Sequence, residues 1–138
     1  MRENKEAIRN NEFGIIYAAA QDSGLEPYEI STFTELLYNA GIDPLIHMNR
    51  IPANFLYESD IEKFEIPEHI THIGSSAFDS CDKLKSIILP KNVMTVGDYA
   101  FYSCDQLSTL VIENPDIIMA AIGFNVFIPV IRFNGTLD

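Results

Sequence analysis

The chain is 138 residues long, which bounds it to one domain, or one domain with a small appendage. Hydrophobic residues make up 47% and charged residues 21%, a globular balance that excludes an intrinsically disordered chain. Nine Lys and Arg against 20 Asp and Glu give a formal net charge of -11, which argues against direct nucleic-acid binding, because phosphate neutralisation needs clustered cations. The excess favours a partner with a basic surface or serves solubility alone.

The N-terminal hexapeptide Met1-Arg-Glu-Asn-Lys-Glu6 is charged, and no apolar run of signal-peptide type follows it. The least polar stretch, Ile117 to Ile131, is interrupted by Gly123, Asn125 and Pro129 and falls short of the ~20 apolar residues of a spanning helix. These features predict a cytoplasmic protein with no membrane contact.

Residues 1–49 read as a helical, acidic N-terminal cap. Ile15, Ile16, Ala19 and Ala20 form one amphipathic stripe, ended by Ser23-Gly24. Ile30, Phe33, Leu36, Leu37 and Ala40 form a second, with Thr32 and Glu35 as a capping box and Gly41 as the stop. Asp43-Pro44 suits a further helix start. Between Arg9 and Arg50 there is no Lys or Arg, while Glu12, Asp22, Glu26, Glu29, Glu35 and Asp43 all fall in that window. The lobe therefore either caps the chain that follows or offers an acidic surface of its own.

From Ile66 the chain repeats itself, with Leu89 opening the second copy. Pro67 matches Pro90, Gly74 matches Gly97, Ala77-Phe78 matches Ala100-Phe101, Ser80-Cys81-Asp82 matches Ser103-Cys104-Asp105, and Leu84 matches Leu107. Apolar type is kept at Ile70/Val93, Ile73/Val96, Ile87/Leu110 and Leu89/Ile112. A fixed period in the twenties is the signature of stacked repeats. Upstream, Phe55, Ile61, Phe64 and Ile66 sit one full period before Phe78, Leu84, Ile87 and Leu89, in a leading repeat without the Gly and Cys. Downstream, Phe124 falls one full period after Phe101, whereas Ile131 and Phe133 come too early to be a full period after Leu110 and Ile112. The last repeat is thus shortened, as terminal repeats with one uncovered face often are.

The pattern Ile-Pro-x-x-Ile-x-x-Ile-Gly-x-x-Ala-Phe-x-x-Cys-x-x-Leu-x-x-Ile-x-Leu-Pro resembles the BspA-like leucine-rich repeat of bacterial, protist and phage proteins, over roughly residues 50–136. The ending Ile131-Arg-Phe-Asn-Gly-Thr136 looks like the closing strand of such arrays. The resemblance implies a curved stack of parallel strands used for adhesion or protein binding, with no shared catalytic residues. The expected fold is an α+β repeat, a short leucine-rich-repeat solenoid with parallel strand ladders, preceded by a small helical N-terminal cap. Its repeats are expected at about 50–66, 66–88, 89–111 and, in atypical form, 112–136.

Each repeat offers two short strands. Alternation places Ile87 and Leu89 on one face and Ser86 and Ile88 on the other. Ile70 to Ile73 forms the second strand, closed by a turn at Gly74; Ala77-Phe78 falls in a connecting helical turn, with Phe78 and Phe101 stacked in the core. The outward positions then form two ladders, Lys63–Ser86–Thr109–Val130 and Glu65–Ile88–Val111–Arg132, apolar in the middle and charged at the ends. That is the arrangement of a small binding patch with a polar rim, although β-branched residues also suit any strand surface.

Little in the chain suggests chemistry. Cys81 and Cys104 lie one repeat apart and read as two reduced thiols in a core slot, with no further ligands for zinc. His69 and His72 would point to opposite faces of a short strand, and His47 is remote. Asp82 and Asp105 recur beside the cysteines as turn formers rather than as a catalytic pair. No nucleophile elbow, phosphate loop or nucleotide fingerprint is present. The expectation is a non-enzymatic protein-binding module without metal or cofactor. A second expectation, from charge alone, is an acidic nucleic-acid mimic that inhibits a DNA- or RNA-handling host protein, as a phage-encoded antagonist would. A structural or adhesive accessory protein is the third.

Overall fold

The computed structural model describes residues 12–119 and 130–133, with 118–119 and 130–133 placed through their backbone. Phe124 and Thr136, and with them most of the last repeat, lie outside the described residues.

Two helices open the described chain, α1 (Glu12–Asp22) and α2 (Pro27–Asn39). The stripe expected on α1 is turned the wrong way. Tyr17 is buried, with Phe13 and Ala20 packed half-buried beside it, whereas Ile15, Ile16 and Ala19 face solvent. A single aromatic that finds a buried hydroxyl partner outweighs two isoleucines here: the Tyr17 and Thr34 hydroxyls share a 2.5 Å hydrogen bond. On α2 the buried line is Ile30, Ser31 and Thr34, and Leu36 is exposed. The helix also begins well before Thr32. Glu26 and Glu29 form the capping box, Pro27 takes the first turn, and Thr32 donates back to the Tyr28 carbonyl from mid-helix. Gly41, at φ +79°, makes the expected stop. Asp43-Pro44 starts a turn and not a helix; the Asp43 carboxylate accepts from the Leu45 amide and the Tyr38 hydroxyl.

The repeats form two parallel sheets, giving an α+β chain. β1 (Arg50–Ile51), β2 (His72–Ile73), β4 (Thr95–Val96) and β6 (Ile118–Met119) make one in that order. β3 (Ser86–Leu89), β5 (Thr109–Ile112) and β7 (Val130–Phe133) make the other. The register of β3 on β5 follows the sequence period, Ser86 against Thr109. That of β5 on β7 is shorter, Thr109 against Val130, as the early arrival of Ile131 and Phe133 predicts. Lys63 extends this sheet backwards by a bridge to Ser86.

Between the sheets the chain makes consecutive tight turns, where the sequence predicts a helical turn. Ala77, Asp79 and Cys81 donate to the carbonyls of Gly74, Ser76 and Phe78, while Ser76, Phe78 and Ser80 donate to Asp98, Ala100 and Tyr102 of the following repeat. Alternate amides thus close the turn and hold the next repeat. The alternation needs left-handed backbone at Ser76 and Ser80, at φ 56° and 62°. Tyr99 and Ser103 share that conformation one repeat on, and Asn54 and Glu58 one repeat back.

That last equivalence corrects the leading register. Leu56, not Phe55, takes the place of Phe78: the Cys81 thiol donates to the Leu56 carbonyl as the Cys104 thiol does to Phe78. Glu58 corresponds to Ser80 and Lys63 to Ser86, so the leading repeat has lost a single position between Glu58 and Lys63. Ser59 accordingly fills the cysteine position, and Phe55 stands where later repeats have a buried alanine. The helices cover that side, and Phe55 meets Tyr17 and Tyr38 at ring-centroid distances of 5.8 and 6.1 Å.

Gly74 and Gly97 are required by close approach and not by a turn conformation, since neither has a positive φ. A Cβ on Gly74 would lie 2.6 Å from the Ala53 nitrogen and 2.7 Å from the Ile51 oxygen. Pro52 stands at that position in the leading repeat, whose strand β1 is the edge of its sheet among the described residues, with no repeat packed beneath it.

Among the described residues the core is one continuous apolar cluster from Tyr17 to Ile112. Phe78 and Phe101 are fully buried and stacked, 5.3 Å apart and within 5° of parallel, as expected. Among the described residues no helix is long and apolar enough to cross a membrane.

Candidate functional site

Alternation along β3 is complete: Ser86 and Ile88 are exposed, Ile87 and Leu89 buried. On β5 the outward pair, Thr109 and Val111, is half-buried. Lys63 and Glu65 are exposed on the leading repeat. Val130 and Arg132 stand in register beside Thr109 and Val111, and their side chains lie outside the described residues. The backbone therefore brings the two sequence ladders onto one face.

A groove of about 670 Å³ runs over part of that face. Lys63, Glu65, Ser86 and Ile88 line it, together with Phe64, Glu68, Pro90 and Glu113. Ile88, 51% exposed, is its most prominent apolar side chain. Among the described side chains that line it, three carboxylates, of Glu65, Glu68 and Glu113, accompany one ammonium, that of Lys63. The neighbouring Lys83 and Lys85 are engaged with Asp60 and Glu62 of the preceding repeat, at 3.9 and 3.1 Å. Those exposed pairs add little stability, but the Lys85 ammonium holds the Glu62 carboxyl below the usual range.

Sequence reasoning missed Glu68 and Glu113. A signal was present for Glu113, which occupies the repeat position of Pro67 and Pro90. A departure from an otherwise fixed residue marks a position released from the fold's own demands.

The alternative acidic surface divides in two. Glu12, Asp22 and Glu35 are exposed, whereas Asp43 is half-buried and Glu26 and Glu29 close the α2 capping box. Three of the six carboxylates thus serve local structure.

The buried nucleophiles are held inert. Cys81 and Cys104 are free thiols, enclosed in the core, each donating to a carbonyl of the preceding repeat at 3.0 and 3.1 Å. Burial pushes the Cys104 thiol up to about 12 and raises the Cys81 thiol likewise, and it raises the Tyr17 hydroxyl to about 12. A group whose native pKa lies above its unfolded value stabilises fully below the unfolded pKa and loses that contribution as pH rises towards the native one. Stability should therefore fall steadily from about pH 9 to pH 12. A urea midpoint measured across that window checks this, as does a thiol reagent at about pH 8, which should label neither cysteine until denaturant is added.

His69 Nε2 lies 2.6 Å from the Leu45 carbonyl and His72 Nδ1 2.5 Å from the Thr95 hydroxyl, so each ring ties one segment to the next. Among the described residues no group of three or more His, Cys, Asp or Glu side chains converges to hold a metal. Asp82 and Asp105 are exposed in turns.

The family profile described as the BspA type leucine rich repeat region (6 copies) matches residues 49–129. No curated protein and no solved structure is significantly similar to the chain.

Proposed function

The chain belongs to the BspA-type leucine-rich-repeat family, and from that premise we propose that it is a non-enzymatic protein-binding module. Leucine-rich repeats generally mediate protein–protein interaction, through the outward ladders of their strands. The repeats act as a short solenoid capped by α1 and α2, and the partner lies along the strip from Lys63 and Glu65 through Ser86, Ile88, Thr109 and Val111 to Val130 and Arg132. The observation that carries this reading is the half-exposed Ile88 in a groove rimmed by charge, where a partner side chain would exclude water from it.

Ile88→Glu combined with Val111→Glu should leave the fold intact and weaken partner binding at least about tenfold, or ~1.4 kcal/mol. The partner is first captured from the native host and then titrated against both proteins. Normal binding by the double variant, with binding lost on charge reversal at Glu12, Asp22 and Glu35, would transfer the function to the acidic lobe. A nucleic-acid mimic would then also bind with steep loss above physiological salt, where the Debye length falls below about 8 Å.

A further inference from the structure

The helical lobe carries more apolar surface than capping requires. Among the described residues ten large hydrophobic side chains are exposed, and seven of them lie between residues 15 and 46, leaving three for the whole repeat region. Ile15 is 64% exposed, Leu36 61%, Tyr28 57% and Ile46 56%.

The inner faces account for the capping. Tyr17 packs on Phe55, Tyr38 on Phe55 and Phe64, Gln21 donates to the Ala53 carbonyl, and His69 meets the Leu45 carbonyl. With those contacts made from one side, Ile15 and Ile16 on α1 and Tyr28 and Leu36 on α2 are left in solvent. Exposed apolar side chains scattered singly need no explanation, but such a concentration on one small lobe does.

Charge selects the occupant. Between Arg9 and Arg50 the chain holds six carboxylates and no Lys or Arg. Among the described residues of the lobe, two copies of this face would bring both sets of carboxylates together without a Lys or Arg between them, so self-association is disfavoured, as is an anionic surface. We propose that the outer face of α1 and α2 is a second interaction surface, distinct from the strand strip, that takes a cationic amphipathic segment of a partner protein. Its apolar side covers Ile15, Ile16, Tyr28 and Leu36, and its Lys and Arg side chains face the exposed Glu12, Asp22 and Glu35.

The probe is a labelled helical peptide of about 18 residues built only of Leu and Lys at helical spacing, with a scrambled peptide of the same composition as control. Titrated at physiological salt against the full chain, the ordered peptide should bind with micromolar affinity and the scrambled one at least about tenfold more weakly. Ile15→Lys with Leu36→Lys should cost the ordered peptide at least about tenfold, each single variant part of that, with an unchanged circular-dichroism spectrum. Ile88→Glu should leave peptide binding unaltered, which separates this surface from the strand strip. Equal binding of both peptides, or normal binding by the double variant, would overturn the proposal. So would a concentration-dependent dimer in sedimentation that the double variant abolishes, because the face would then belong to a second copy.

Discussion

Phe78→Ala should destabilise the protein by about 3–5 kcal/mol, a large share of the ~5–15 kcal/mol that holds a domain of this size. Phe78 is fully buried between Phe64, 5.4 Å away, and Phe101, 5.3 Å away, so its removal leaves a cavity with rings on two sides. The backbone around it cannot close the gap, because the Phe78 amide is committed to Ala100 and its carbonyl accepts the Cys104 thiol. Phe101→Ala should cost a comparable amount. Thermal unfolding reads the effect, with Met94→Ala, 56% exposed in the parent, as the control that should change stability by less than about 0.5 kcal/mol. Soluble, cooperatively folding Phe78→Ala and Phe101→Ala proteins with the parent melting temperature would mean that the repeats are stacked differently.

Gly74→Ala should also destabilise, by about 1–3 kcal/mol or more, although the change would ordinarily stabilise by ~0.4–1 kcal/mol through the unfolded chain at a position of compatible φ. The sign is reversed by contact. All three nearest atoms to the new Cβ are backbone, at 2.6, 2.7 and 2.8 Å, and no side-chain rotation relieves them. Relief requires β1 and β2 to part, which weakens the Gly74 to Ile51 hydrogen bond of 2.8 Å. Gly97→Ala, with nearest atoms at 2.8, 3.1 and 3.2 Å, should cost less. Urea unfolding of the two variants beside the parent gives the order; a stabilised Gly74→Ala protein would show that the repeats lie further apart than described.

Periodicity makes much of the repeat region legible. Ile87, Leu89, Leu110 and Ile112 alternate with outward residues, so the sequence alone predicts which side chains enter the core. The recurrence of Phe78 at Phe101 predicts their stacking, because equivalent positions in adjacent repeats must lie one above the other. The leading repeat is harder to read. The position lost between Glu58 and Lys63 leaves Phe55 looking like the equivalent of Phe78, and it takes the left-handed backbone at Asn54 and Glu58 and the Cys81 to Leu56 hydrogen bond to reveal that Leu56 holds that place. The groove is half legible: its floor follows from alternation, while Glu68 and Glu113 reach it from beyond the strands.

By itself the sequence determined the repeat length, the inward residues of the long strands and the α+β class, since each of these follows from spacing along the chain. Only the tertiary structure decided why the glycines are needed, which repeat position Phe55 occupies and which way the helices face. The cause in each case is contact with a neighbour distant in sequence. Gly74 answers to the backbone of residues 51–53, Phe55 to Tyr17 and Tyr38, and Tyr17 to the Thr34 hydroxyl. A stripe such as Ile15, Ile16, Ala19 and Ala20 states that a helix has an apolar side; it does not state whether that side finds the core, and here most of it remains in solvent.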